Sequence, residues 1–341
     1  MQRMSAAVFH GVKEGLRVEE RAAPTIKSAD EVLLEIKACG LCGTDPAILD
    51  GRHPSSPPVI LGHEYGGVVV DVGKSVHEVK PGDHVVVDPN VKCGQCGFCR
   101  SGKQNLCENI TTLGIYIDGG FAKYNVAPQS AVYKIPEDMD WRDAALVEPV
   151  SCVLNGMGRS GVKLGSSIAI IGAGPIGLIW VALARNAGAA RIIVSESMPA
   201  RQEAARKLGA DLVLDPGKQD IVEAVHAETG KGVNVAVEVV GKPSTVEQAV
   251  RILSPGGRAV VFGTCPKESE IRLDPYELMR HEKEIVGSYA ANFTFRPAIE
   301  VMYHKQVRSD ILLTHHFKIE EIEKAIRAHR AGDAIKALVT P

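Results

Sequence analysis

Two rhythms of apolar and polar positions divide the chain. Up to about residue 140, short β-branched runs alternate with Gly and Pro; residues 32–36, 67–72 and 84–88 are examples, the last entered through Pro81-Gly82-Asp83. Short apolar runs bounded by turn residues predict strands, so this portion reads as a β-rich domain. From about residue 150, strand-length apolar runs alternate with segments of helical period. Strands are predicted at 167–171, 191–195, 211–214, 233–239 and 258–262, with a sixth candidate at 284–288. Helices are predicted at 175–187, 199–208, 218–228 and 244–253, the first opening on Pro175, which suits a first helical turn. Such alternation predicts right-handed crossovers and a parallel, doubly wound sheet, an α/β fold. Beyond about residue 290 the alternation stops, leaving a predicted helix at 319–330 and a strand at 334–339. That strand has no place in the parallel sheet and is assigned to the first domain. The domains are therefore expected at 1–150 with 290–341, and at 151–289.

Composition narrows the function classes. A length of 341 residues with 45% hydrophobic and 23% charged positions suits two ordinary globular domains with ample core. A net charge of −2, with both signs mixed along the chain, argues against a nucleic-acid surface, which needs concentrated Lys and Arg. No run of about 20 apolar residues occurs, so no membrane span is expected. The first nine residues lack the apolar stretch and cleavage site of a secretory signal, and the cytoplasm is the expected location. In that setting the clustering of Cys93, Cys96, Cys99 and Cys107 within fifteen residues points to metal before disulfides.

The first predicted parallel strand runs into Gly172-Ala-Gly174-Pro175-Ile176-Gly177, a G-x-G-x-x-G turn opening a helix. Gly172 permits the tight turn, Gly174 lets backbone approach a pyrophosphate, and Gly177 lets helix pack on strand. The helix N-terminus then presents unpaired N–H groups and positive dipole to phosphate. Glu196 lies nineteen residues after Gly177, at the end of the next strand. A carboxylate there accepts hydrogen bonds from ribose hydroxyls and repels a 2′-phosphate, favouring NAD over NADP. Two other readings bear on the same place: Glu196 could cap the following helix, and Arg201 could accommodate that phosphate.

The four cysteines form C-x2-C-x2-C-x7-C, a spacing that suits tetrahedral Zn2+ in a closed structural site. A ferredoxin-type cluster would bring its fourth Cys after about three residues and follow it with Pro. Glu108 follows here, and Phe98 is the one aromatic between the cysteines, short of the interleaved aromatics and basic stripe of a nucleic-acid knuckle. A second group joins Cys39, Cys42, Thr44 and Asp45 with Gly62-His63-Glu64 and, later, Glu148-Pro149. Taken singly these decide nothing: His63 could be a satisfied histidine and Asp45 a turn cap.

Taken together and in order, these segments resemble the zinc-containing medium-chain dehydrogenase/reductase (alcohol dehydrogenase) family, nearest its sorbitol or polyol dehydrogenase branch, over essentially the whole chain. The resemblance implies a GroES-like β-rich catalytic domain joined to a Rossmann domain. It implies two Zn2+ per chain, one catalytic and one structural on Cys93, Cys96, Cys99 and Cys107, with NAD as cofactor. Cys42 and His63 match catalytic zinc ligands, Glu64 a carboxylate that ligates zinc in some states, and Glu148 the ligand Glu of the polyol branch. Asp45 matches the acid that orients the His ligand, and Thr44 the hydroxyl that takes the alcohol proton. Cys39 and Cys265 have no ligand counterpart and read as small buried residues, while Cys152 falls near the expected nicotinamide face. A homotetramer or homodimer formed through the Rossmann domain is implied.

Hydride leaves an alcohol readily only from the alkoxide, and zinc lowers the pKa of a bound oxygen to near neutral. The implied function is hydride transfer from a secondary, polyol-like alcohol to NAD, giving ketone and NADH. Two departures qualify it. Ala47 stands where related enzymes carry a relay His three residues after the hydroxyl; His53 is a nearby candidate, with a surface loop His as the alternative. Ala290 and Ala291 stand where sorbitol dehydrogenases carry an Arg-Tyr pair, which counts against sorbitol itself. The rival activities are L-threonine 3-dehydrogenase and butanediol dehydrogenase, then a zinc-free quinone or enone reductase, which lacks the four-Cys lobe. A non-catalytic zinc-bearing binding protein is the remaining reading.

Overall fold

The computed structural model describes residues 3–341; Met1 and Gln2, which belong to the N-terminal segment read above, lie outside the described residues. The chain divides into two units. One runs to Ser151 and resumes at Asn292–Lys305 and Leu313–Pro341; the other is Cys152–Ala291 with Gln306–Leu312.

The first unit is built on strand Glu31–Leu41, whose even-numbered residues from Val32 to Ala38 are buried while the odd ones are half-exposed. That two-residue period gives the sheet one core face. The seven-stranded sheet runs Val132–Lys134, His84–Val87, Glu64–Val72, Glu31–Leu41, Lys336–Thr340, Leu313–Lys318, with Tyr124–Pro128 also on Glu31–Leu41. The C-terminal strand thus lies antiparallel to Glu31–Leu41, with Leu338 opposite Gly40, while Gly40 in turn faces Glu64 on the other side. A separate sheet pairs Arg3–Phe9 with Leu16–Ala22 and Val59–Ile60. The core between them includes Val8, Leu34, Ile36, Leu61, Tyr65, Phe121 and Ile322. Full burial of one such side chain contributes about 1.5–3 kcal/mol.

The second unit holds six parallel strands in the order Leu212–Leu214, Arg191–Ser195, Ser167–Ile171, Val233–Glu238, Leu253–Val261, Glu284–Gly287. This is the doubly wound arrangement, with its topological switch between Ser167–Ile171 and Val233–Glu238. The central strands are buried almost throughout, Ile168, Ile170, Val194 and Val237 completely, as parallel strands covered on both faces must be. Helices Pro175–Asn186, Pro199–Lys207, Ile221–Thr229 and Pro243–Arg251 form the connections.

Several boundaries differ from the pattern reading, and two in the second unit stand out. The helix expected from 218 starts at Ile221, because the Asp220 side chain accepts from the Glu223 amide and caps it there. The strand expected from 258 already begins at Leu253, which shortens the helix before it; its register against the neighbouring strand shifts between Val233 and Val235. Among the described residues no helix is long and apolar enough to cross a membrane.

Candidate active site

The sheet order brings the second residue group together. Cys42 follows strand Glu31–Leu41, and His63 immediately precedes strand Glu64–Val72, which pairs with it. The donor atoms of Cys42, His63 and Glu64 lie within 4.8 Å of one another. The Cys42 amide donates to the Asp45 carboxylate at 2.8 Å, closing the tight turn that leads into helix Thr44–Leu49. Cys42 Sγ lies 3.6 Å from Thr44 Oγ1, so the hydroxyl borders the same cluster.

Charge in this pocket is strongly one-sided. Burial opposes a proton on His63, yet Cys42, Asp45 and Glu148 outweigh it and hold the imidazole pKa well above 6.5. Burial also pushes Asp45 up from 3.8, partly offset by His63 and the Cys42 amide. A field that retains a proton on a buried imidazole is one that a divalent cation would fill, displacing that proton. The donor set of thiolate, imidazole and carboxylate fits zinc. Asp45 Oδ1 lies 3.7 Å from His63 Nδ1, an ionic contact longer than a hydrogen bond, and neither atom has a hydrogen-bond partner. This turns Nδ1 toward the carboxylate and leaves Nε2 for a ligand. Glu148 opens helix Val147–Ser160 and is close enough to act electrostatically on both His63 and Lys336.

Lys336 is the site residue that the sequence reading missed. It is 2% exposed, ion-paired with Glu64, and donates to the Leu41 carbonyl at 3.1 Å. Burial opposes its charge, but Glu64, Cys42 and Glu148 outweigh that and raise its pKa above 10.5. The signal that could have revealed it is a lysine inside the apolar run Ala334-Ile-Lys-Ala-Leu-Val339.

The four cysteines of the lobe also converge, their sulfurs within 4.8 Å of one another. Backbone amides of Cys93, Cys96 and Cys99 point at the sulfurs of Cys107, Cys93 and Cys96 at 3.3, 3.4 and 3.5 Å. Amides of Gln95 and Cys96 lower Cys93 to about 6, while burial lifts Cys99 to about 12. Cys93 and Cys107 sulfurs are 3.5 Å apart, too far for a disulfide, and all eight cysteines are free. A Zn–S length of about 2.3 Å gives a tetrahedron with edges of about 3.8 Å, which this cluster fits. Asn292 anchors the lobe, accepting from the Gln104 amide at 3.0 Å and donating to the Gly102 carbonyl at 2.9 Å.

In the second unit the glycine-rich turn sits at the switch point. A Cβ on Gly177 would fall 2.0 Å from the Gly172 carbonyl oxygen, whereas one on Gly174 would meet nothing within 4 Å. The first glycine is demanded by packing and the second fronts open space. Glu196 is buried, and both its carboxylate oxygens are engaged by backbone: Ala173 N donates at 2.8 Å and Met198 N at 2.9 Å. It therefore ties the glycine-rich turn to the next loop. Nearby, Arg201 Nε is buried without a hydrogen-bond partner.

Elsewhere the departures noted above take definite form. Ala47 offers no imidazole, and His53 Nδ1 is engaged with the Pro54 carbonyl at 2.8 Å. Ala290, at φ 49°, and the buried Ala291 carry no polar side chain, and the Ala290 carbonyl accepts from Asn155 Nδ2 at 2.8 Å. Cys39 is buried, as expected of a small core residue, but Cys265 is half-exposed because its loop leaves the end of strand Leu253–Val261.

The class defined by this site and fold is also that of its relatives. Residues 28–137 match the alcohol dehydrogenase GroES-like domain and residues 175–303 the zinc-binding dehydrogenase domain. The chain is 35% identical to a sorbitol dehydrogenase of Bacillus subtilis over 348 residues, 100% of this chain and 98% of that protein. It is 34% identical to an L-threonine 3-dehydrogenase of Thermococcus kodakarensis, over 91% of each. A zinc-binding dehydrogenase of Sinorhizobium meliloti, solved with NADP bound, superposes with a TM-score of 0.96 at 35% identity, covering 100% of both chains. The chain belongs to the zinc-containing medium-chain alcohol dehydrogenase family, in its polyol dehydrogenase branch.

Proposed function

We propose that this chain is a zinc-dependent dehydrogenase that takes hydride from a secondary, polyol-like alcohol and delivers it to NAD. The observation that carries this reading is the convergence of Cys42, His63 and Glu64 within 4.8 Å, bordered by the Thr44 hydroxyl. When bound, zinc supplies Lewis acidity to the alcohol oxygen and the nicotinamide accepts the hydride. Cys42 and His63 would hold the catalytic zinc with a carboxylate from Glu64, which lies within the donor cluster, or from Glu148; Cys93, Cys96, Cys99 and Cys107 would hold a second, structural zinc. Thr44 Oγ1 accepts the alcohol proton, and with Ala47 in the relay position that proton leaves by water or by the cofactor ribose. Asp45 fixes the His63 ring so that Nδ1 faces the carboxylate.

Gly172, Gly174, Pro175, Ile176 and Gly177 receive the pyrophosphate, and Glu196 the adenosine ribose. We assign the catalytic zinc domain to 1–150 and 290–341 and the nucleotide domain to 151–289. The division at Ser151 supports this, although residues 306–312 group with the second unit. A homotetramer or homodimer, in the cytoplasm, completes the reading; strand Glu284–Gly287 at one end of the six-stranded sheet is the element that favours association.

Two observations favour second readings. The buried, unpartnered Arg201 Nε and the NADP-bound relative support acceptance of NADP beside NAD. Similarity to the threonine dehydrogenase, nearly equal to that of the sorbitol enzyme, supports L-threonine, with butanediol as a further candidate. Initial rates over polyols, 2,3-butanediol, L-threonine and simple secondary alcohols, with NAD and NADP, separate them. Turnover of one polyol series with NAD supports the proposal; turnover confined to threonine or butanediol removes the polyol assignment.

A further inference from the structure

Lys336 is as deeply buried as the hydrophobic core, and a charge so placed is strongly unfavourable unless it is paired. The sheet shows how its pairing is arranged. Glu64, Gly40 and Leu338 face one another across three adjacent strands, and Lys336 lies two residues before Leu338. The Glu64 and Lys336 side chains meet over Gly40. A Cβ there would lie 2.2 Å from a Glu64 carboxylate oxygen and 3.2 Å from Lys336 Cε. The central residue is therefore one without a side chain, and the space it leaves is filled by an ion pair.

Glu64 also belongs to the cluster with Cys42 and His63. The same carboxylate thus faces an ammonium on one side and, in the reading above, a metal on the other. Cys42 as thiolate, Asp45, Glu64 and Glu148 outnumber the two positive charges of zinc. Lys336 offsets part of that excess from inside the fold, where solvent screening is weak. We propose that Lys336 is a positioning residue that holds the Glu64 carboxylate back from the catalytic metal, leaving a coordination place open for the alcohol. This rests on the metal reading of Cys42, His63 and Glu64.

The test uses zinc-loaded full-length chain and two variants. Lys336→Met keeps length and removes charge; Lys336→Arg keeps charge. Zinc transfer to a chromophoric chelator is followed, and the phase missing from Cys42→Ser identifies the catalytic metal. Without the ammonium, Glu64 closes on the metal, so Lys336→Met releases it about tenfold more slowly. Its Co2+-substituted form also stops responding to added imidazole in the visible spectrum, while Lys336→Arg behaves as the parent. Glu64→Gln is an independent arm that needs no lysine variant: the proposal requires parent-like release, because the carboxylate is not a resting ligand. Faster release from Glu64→Gln, or parent-like release with retained imidazole response in Lys336→Met, overturns it. If the parent holds metal only at the four-cysteine lobe, its metal content equals that of Cys42→Ser. That outcome removes the metal reading itself, and the role of Lys336 with it.

Discussion

His63 shows how a side chain's role follows from what surrounds it. Alone in the sequence it is one of eleven histidines; in the fold it is buried among a thiol and three carboxylates. Asp45 faces it across 3.7 Å, so removing the Asp45 charge loosens the ring's orientation without disturbing the donor list. Asp45→Asn lowers affinity for the catalytic metal about 10–100-fold, measured by chelator competition, while the four-cysteine lobe keeps its zinc. Cys42, His63 and Glu64 were legible because their neighbours, the Gly-Thr-Asp turn and the Gly before His63, are local in sequence. Lys336 was not, because its contact with Leu41 joins positions 295 residues apart. Glu196 was half legible: its place at a strand end is sequence-local, whereas its bonds to Ala173 and Met198 depend on how two loops meet.

Among the elements, the parallel sheet was read nearly strand for strand, because buried strands and amphipathic helices carry distinct periods. Ends moved where one side chain overrides the period, as Asp220 does for helix Ile221–Thr229. The first-domain sheet was far less legible, since its pairing joins residues 31–41 to 336–340 and no local signal sets that register. At the phosphate turn, Gly177→Ala drives a methyl into the Gly172 carbonyl. It lowers NADH affinity by more than about tenfold in fluorescence titration and costs about 1–3 kcal/mol of stability. In the first unit, Asp83 lies just before strand His84–Val87 and accepts from Lys134 Nζ at 2.7 Å, from the Lys80 amide at 3.0 Å and from Lys80 Nζ at 3.3 Å. Burial pushes its pKa up, but Lys134 and Lys80 prevail and hold it below 3.8. A depressed carboxylate stabilises above its unfolded value and loses that contribution as pH falls through the folded one. Urea unfolding of Asp83→Asn therefore shows a loss of about 1–2 kcal/mol at neutral pH that shrinks below about pH 4.

For the whole molecule, two metal-donor clusters of different character lie on one chain. The lobe has four thiols fed by backbone amides, and the other site mixes sulfur, imidazole and carboxylate. Closed four-thiolate sites are structural, whereas mixed sites keep a place for substrate. Asn292→Ala removes both anchors of the lobe and is expected to speed zinc loss from it while leaving the catalytic metal in place, read as two phases of chelator uptake. The proposed alcohol oxidation depends on the metal at Cys42 and His63. Its most direct test is the rate of NAD reduction with an active secondary alcohol, measured before chelator stripping, after it, and after zinc is restored, beside Cys42→Ser carrying an intact lobe. The predicted result is activity lost on stripping, regained with zinc, and absent from Cys42→Ser. Undiminished turnover in the stripped protein or in Cys42→Ser would contradict the account.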